Sequence, residues 1–156
     1  AYKDNSPIVS ATDRCNMVKL AIKPFDYMSL STIETDRPGN TYTADTLAQI
    51  YDSYKKIYFI IGADSLLYIQ DWYHPEYICS HCHLLCANRD NNSASVLIDQ
   101  KHFLADKYGA VIDFIDVPEL PYSSTDIRKK VAMGLSVKED VGEEVEEYIK
   151  SRKLYV

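Results

Sequence analysis

Five consecutive apolar residues, Ile57-Tyr58-Phe59-Ile60-Ile61, run directly into Gly62-Ala63-Asp64. A strand with one wet face alternates apolar and polar side chains. An unbroken apolar run of this length reads instead as a strand buried on both faces, the kind found in parallel sheets. Residues 83–87 read as a second buried strand, and residues 111–117 as a third strand. The segments between them have helical signals. A helix over residues 75–80 starts with Pro75 at its first position. An amphipathic helix over 95–108 is closed by Gly109. Helices alternating with buried strands imply an α/β fold whose parallel sheet is covered on both faces. Ligands of such sheets sit beyond the carboxyl ends of the strands, so the informative residues should follow strands.

The flanks add further elements. Residues 10–23 read as a helix with Ser10 and Asp13 as an S-x-x-D capping box and a stripe of Cys15, Val18, Ala21 and Ile22, stopped by Pro24. Residues 27–34 alternate through Met28, Leu30 and Ile33 and are expected to form a strand. Asp36-Arg37-Pro38-Gly39-Asn40 reads as a turn. Thr43 is the expected N-cap of a helix over 44–55, with Asp45 in its first turn. A helix over 123–133 closes at Gly134, and an acidic helix spans 142–152. Without internal repeat or linker, the 156 residues are expected to form one domain.

Composition narrows the partners. A net charge of −6 argues against nucleic acid, which requires a broad basic face, but leaves room for a small phosphorylated ligand. No apolar run approaches 18 residues, and Ala1-Tyr2-Lys3-Asp4-Asn5 has no apolar stretch of signal-peptide type. Four cysteines in a chain of this length do not make a disulfide scaffold. A cytoplasmic location is the expectation.

Several segments at strand ends could carry chemistry. Tyr122-Ser123-Ser124-Thr125-Asp126-Ile127-Arg128 follows a strand and opens a helix. Free N–H groups, three hydroxyls and Arg128 suit a di- or triphosphate, although Ser123 with Asp126 also reads as a plain capping box. Gly62 allows close approach at a strand end, and Asp64 can accept from a ribose hydroxyl or can simply cap a helix. Trp72, in a loop after that strand, can stack on a planar ring or pack in the core. Arg89 can face an anion or lie solvated. Thr41-Tyr42-Thr43-Ala44 offers helix N–H groups to a carboxylate or a phosphate, or is an ordinary helix start. Cys79-Ser80-His81-Cys82-His83 matches the C-x-x-C-H pattern of haem attachment, with Cys86 suggesting zinc. Both are rejected, because a second zinc pair is missing and buried-strand cysteines act as small hydrophobes. No metal site is expected, and neither G-x-x-x-x-G-K-[ST] nor G-x-G-x-x-G occurs.

Taken in order, Tyr42-Thr43-Ala44-Asp45-Thr46-Leu47, then Phe59-Ile60-Ile61-Gly62-Ala63-Asp64-Ser65-Leu66, Trp72-Tyr73, Arg89 and Ser123-Ser124-Thr125-Asp126-Ile127-Arg128 resemble the bacterial nicotinate mononucleotide adenylyltransferases. These belong to the nucleotidyltransferase α/β-phosphodiesterase superfamily. Lys3, Arg14 and Met17 near the start, and Val145-Glu146-Glu147-Tyr148-Ile149 with Leu154-Tyr155 near the end, extend the likeness over the whole chain.

The resemblance implies a Rossmann-like, doubly wound parallel sheet with helices on both faces. It implies transfer of an adenylyl group from ATP, with Mg2+, to nicotinate mononucleotide, giving deamido-NAD and pyrophosphate. It assigns Gly62, Asp64, Ser123, Ser124, Thr125 and Arg128 to ATP, and Thr43, Trp72, Tyr73 and Arg89 to the mononucleotide. Lys3 is implied as a phosphate contact. A homo-oligomer is compatible with it.

The family's first strand and its G-x-F-x-P-x-H-x-G-H loop have no counterpart here, and none of His74, His81, His83 or His102 falls in that pattern. The expectation is therefore one nucleotidyltransferase domain, residues 1–156, that is N-terminally incomplete and has no assigned catalytic residue. Two readings stay open beside it. One is a nucleotide-binding module or inactive fragment of that enzyme, and the other is a related adenylyltransferase, such as the one acting on pantetheine phosphate.

Overall fold

The computed structural model describes residues 9–88, 94–118 and 122–156. The chain divides into two compact units, Arg37–Glu119 and the pair Ala1–Asp36 with Leu120–Val156.

The first of these units is built on a parallel sheet of β1 (Tyr58–Gly62), β2 (His83–Asn88) and β3 (Val111–Asp116), in the order β1-β2-β3. Ile61 stands beside Cys86, and Cys86 beside Phe114. Among the described residues, four α-helices accompany the strands in this unit or connect them: α2 (Thr43–Ile50), α3 (Ala63–Tyr68), α4 (Pro75–His81) and α5 (Ala94–Tyr108), with a 3-10 turn at Ile69–Asp71. Leu66, Ile69, Ile78, Leu84, Leu104 and Ile112 are sealed in one core. Each such side chain contributes on the order of 1.5–3 kcal/mol by leaving water. The chain leaves α5 through Gly109 at φ +68°, where Ala110 N–H reaches back to Leu104 O at 3.3 Å. That left-handed exit is why a glycine stands there.

The unbroken apolar run of β1 is not buried on both faces. Ile61 is 6% exposed and Ile60 65% exposed, with Tyr58 also open. Parallel crossovers are right-handed almost without exception, so strands added in sequence order bring their connecting helices to one side. Phe59, Ile61, Leu84, Cys86 and Ile112 face those helices.

The second unit contains α1 (Ala11–Ile22), α6 (Ser124–Ala132), α7 (Lys138–Val141) and α8 (Glu143–Ser151) around Val131, Val137, Val145 and Ile149. The Ser10 cap forms as read, its Oγ accepting from Asp13 N–H at 3.0 Å. Tyr148 Oη donates to Asp13 Oδ1 at 2.8 Å, and Arg152 Nε donates to the same oxygen at 3.2 Å, binding α8 to α1. Bonds from Ser10 first, then Tyr148, hold the Asp13 carboxyl below its ordinary value. Glu146, on α8, accepts from Ser136 Oγ at 2.7 Å and from Val137 N–H at 2.8 Å.

Three local expectations are corrected. Residues 27–34 are irregular backbone between turns, not a strand: Met28 N–H bonds Phe25 O at 3.1 Å, and Asp36 N–H bonds Thr32 O at 2.9 Å. Hydroxyls there bond locally, Thr32 Oγ1 to Asp36 at 2.7 Å and Thr35 Oγ1 to Thr32 O at 2.9 Å. Such bonds compete with a ladder, and alternation alone supplies no partner strand. The helix expected over 44–55 ends at Ile50 and tightens into a 3-10 turn at Tyr51–Ser53, since Asp52 and Ser53 are poor helix formers. Its N-cap is Tyr42, in extended backbone, and Thr43 is the first helical residue. The four-residue α7 was not expected at all.

Candidate active site

In the unit Arg37–Glu119, β1 delivers Gly62 at its carboxyl end, as the N-cap of α3. Gly62 has φ −78°, and a Cβ added to it would meet nothing within 4 Å. Neither the backbone nor a protein neighbour therefore requires glycine there, and open space lies above it. Asp64 is not the cap but sits in the first turn of α3, exposed. Its carboxylate makes no hydrogen bond among the described residues and is free to accept from a ligand.

Eight residues past Asp64, Trp72 is half-buried, its ring edge-on to Phe59 with centroids 6.3 Å apart. Part of it thus belongs to the margin of the core. Tyr73 is 48% exposed and stacks with Tyr42, centroids 4.4 Å apart. Through that pair the turn at Trp72-Tyr73 meets the start of α2, where Thr43 is partly buried. Three of the sequence-derived candidates, Thr43, Trp72 and Tyr73, are so joined.

Residues that sequence reasoning passed over complete this region. His74 has φ +50° and ψ +59°, a left-handed conformation uncommon outside glycine, and caps α4. Its Nδ1 lies 2.8 Å from Glu76 Oε1, and this bond holds the Glu76 carboxyl below its ordinary value. An open cleft of about 620 Å³ lies among α2, α4 and α5, lined by Asp45, His74, Glu76, His81 and Lys107. His81 lies flat on Tyr77, centroids 3.8 Å apart. Arg37 Nη2 donates to Thr46 Oγ1 at 2.7 Å, and that hydroxyl donates in turn to Tyr42 O at 3.3 Å. The sequence marked Arg37 only as part of a turn.

Cys79 on α4, Cys82 between α4 and β2, and Cys86 on β2 are buried. Burial pushes the Cys79 thiol up to about 11 and the Cys82 thiol up to about 12, and it raises Cys86. The protonated thiol is the form that neither ligates metal nor reacts.

In the other unit, Ser123 Oγ accepts from Asp126 N–H at 3.0 Å and donates to Asp126 Oδ2 at 2.6 Å. The capping box read from the sequence forms, and it occupies the Ser123 hydroxyl. Arg128 Nη2 lies 3.4 Å from Thr125 Oγ1. Ser124 and Arg128 line an open cleft of about 420 Å³ with Met17, Val18 and Tyr155. Exposed N–H groups at the start of α6 and the Arg128 guanidinium can together accept an anion. Arg89 and Lys3 lie outside the described residues.

The sequence pattern of the cytidylyltransferase-like family matches residues 1–130. A probable nicotinate-nucleotide adenylyltransferase of Lachnoclostridium phytofermentans is 35% identical over 158 aligned residues, covering 100% of this chain and 79% of the relative. One of Moorella thermoacetica, given the same name, is 36% identical, covering 99% and 72%. Among solved structures, the nicotinic acid mononucleotide adenylyltransferase of Plasmodium falciparum complexed with NaAD superposes with a TM-score of 0.72 at 17% identity. It covers 98% of this chain and 78% of that one. At that identity the likeness speaks for the fold, an α/β Rossmann-like arrangement of a parallel sheet flanked by helices.

Proposed function

The chain belongs to the cytidylyltransferase-like family, and from that premise we propose that it is a nicotinate-nucleotide adenylyltransferase acting in NAD biosynthesis. The observation that carries the reading is the match, over the whole chain, to relatives of that name. The joining of Thr43 to Trp72 and Tyr73 through the Tyr42 stack supports it.

The reaction is an in-line displacement. A 5′-phosphate oxygen of nicotinate mononucleotide bonds to the α-phosphorus of ATP, the bond from that phosphorus to the β-phosphate breaks, and pyrophosphate leaves with the electron pair. Such a step calls for positioning and charge neutralisation rather than a covalent intermediate. ATP enters as its Mg2+ complex, in which the cation offsets triphosphate charge.

The reading gives each candidate a role. Asp64 accepts from nucleotide hydroxyls, and Gly62 leaves room for the nucleotide to approach the end of β1. Ser124, Thr125, Arg128 and the N–H groups of α6 hold phosphates, with Ser123 fixing the start of that helix. Trp72 stacks on the pyridine ring, while Thr43 and the Tyr73 N–H receive its carboxylate. Arg89 and Lys3 are carried as further contacts to the mononucleotide and to phosphate. The two units are read as one nucleotidyltransferase domain in the cytoplasm, and assembly into a homo-oligomer is compatible with this reading. Among the described residues, no helix is long and apolar enough to cross a membrane.

The test is an assay of pyrophosphate release by the purified chain with ATP and Mg2+. Nicotinate mononucleotide, nicotinamide mononucleotide and pantetheine phosphate are compared, and products are identified by mass. Deamido-NAD as the main product supports the reading. Preferential turnover of pantetheine phosphate, or binding of nicotinate mononucleotide without turnover, overturns it in favour of the related transferase or the binding module.

A further inference from the structure

Arg37 is partly buried but lacks the pairing expected of a guanidinium in such a place. Among the described residues, its buried Nε and Nη1 meet no hydrogen-bond partner. It takes part in none of the ion pairs among the described residues. A guanidinium stays charged at any physiological pH, and burying its N–H edges unpaired is costly. Structural arginines in such places are ordinarily neutralised by a carboxylate. Here the contact is a neutral one, Nη2 to Thr46 Oγ1 at 2.7 Å.

That contact ties Arg37 to the start of α2. The Thr46 hydroxyl donates to Tyr42 O at 3.3 Å, beside the helical bond from Thr46 N–H to the same oxygen at 3.2 Å. Tyr42 has no side-chain cap of its own. Its ring lies against Tyr73, and Tyr73 lies edge-on to His74 with centroids 4.2 Å apart. A chain of contacts therefore runs from Arg37 through Thr46 and Tyr42 to the turn carrying Trp72 and Tyr73. Thr43 lies three positions before Thr46, on the same helix face and about 5–6 Å from it.

We propose that Arg37 is a positioning residue that sets preference for a negatively charged substituent on the ring of the mononucleotide. It fixes the first turn of α2 and the Tyr42–Tyr73 pair. It also leaves a positive charge, unpaired among the described residues, one hydrogen bond away from the helix face that carries Thr43. A carboxylate is attracted by that charge, whereas a carboxamide of the same shape gains little. The inference rests on the functional reading above, because it takes Thr43 and Tyr73 as the ring's contacts.

Calorimetry separates the two. Binding of nicotinate mononucleotide and of nicotinamide mononucleotide is measured for the unaltered chain and for Arg37→Met, Arg37→Lys and Thr46→Val, with thermal unfolding of each. The unaltered chain is expected to prefer the acid. Arg37→Met weakens acid binding about tenfold and amide binding about twofold at most, the size of losing one charge-assisted contact. Arg37→Lys, which keeps the charge, restores part of the acid-to-amide ratio. Equal loss for both ligands in Arg37→Met reduces Arg37 to a structural support and overturns the proposal, as does equal affinity of the unaltered chain for acid and amide. If Arg37→Met does not fold, Arg37→Lys and Thr46→Val decide, and an unchanged ratio in both counts against it. A chain that prefers the acid yet forms no deamido-NAD leaves this inference standing and removes the transferase reading. Turnover with a ratio indifferent to residue 37 does the reverse.

Discussion

Tyr42 and Tyr73 lie with ring centroids 4.4 Å apart and planes inclined by 33°. They are 31 positions apart in the chain, yet this contact sets the start of α2 against the turn after α3. Aromatic pairs contribute roughly 0.5–1.5 kcal/mol beyond the area they bury. Tyr42→Ala is therefore expected to raise the KM for nicotinate mononucleotide by about 2- to 10-fold, with the KM for ATP unchanged. Tyr42→Phe keeps the ring and should behave as the parent. Steady-state kinetics with each substrate varied in turn checks both.

Arg128 and Ser123 stand on the same helix but do different things. The Ser123 hydroxyl is spent on its cap, so Ser123→Ala should cost about 1 kcal/mol of stability. Arg128, in the cleft beside Ser124, has its guanidinium largely available. Arg128→Ala should raise the KM for ATP by about 10- to 100-fold, the scale of a charge-assisted hydrogen bond to phosphate, and leave the urea midpoint in place. Measuring both properties on both variants separates a capping role from a phosphate role.

Glu146 gives stability a pH dependence. Bonds from Ser136 and Val137, then Lys150, depress its carboxyl from an ordinary 4.5 to about 2. The folded form thus binds the proton less readily than the unfolded chain does. The stabilisation is fully present above 4.5 and is lost as pH falls from 4.5 towards 2. Glu146→Gln should lower the melting temperature at pH 7 by several degrees. The gap between parent and variant should close as pH falls to 2. Thermal scans from pH 2 to 7 follow it, and a gap independent of pH would count against this account.

Leu66, on α3 two positions after Asp64, has no exposed surface and packs in the core of the sheet-bearing unit. Leu66→Ala should cost about 2–5 kcal/mol through lost burial and a residual cavity. Denaturant unfolding of the variant measures that loss.

Much of this architecture could be read in the chain because local rules and tertiary demands agree there. The strands at 58–62, 83–88 and 111–116 have the apolar composition that a parallel sheet selects, and Gly109 and Gly134 mark helix ends at which φ turns positive. The caps at Ser10 and Ser123 depend on a residue three positions away, a distance sequence inspection handles well. Where the reading failed, long-range partners decided. Alternation at residues 27–34 lacked a neighbouring strand, and local hydroxyl bonds took its place. The contacts of Arg37 with Thr46 and of Tyr42 with Tyr73 depend on the fold bringing a turn, a helix start and a second turn together, which no short motif announces. Glu146 is one acid among several in the acidic helix read over 142–152, and only the return of Ser136 and Val137 gives it a separate role.

The four thiols are unequally guarded: Cys15, on α1, is half-open, whereas Cys79, Cys82 and Cys86 are shut inside the other unit. A membrane-permeable alkylating reagent should therefore mark the chain once quickly and three more times only as that interior opens. The interval between the first mark and the rest times the opening of the sheet-bearing unit with no probe residue introduced into the sequence. Bound ligand should lengthen it in proportion to how far it holds that unit closed.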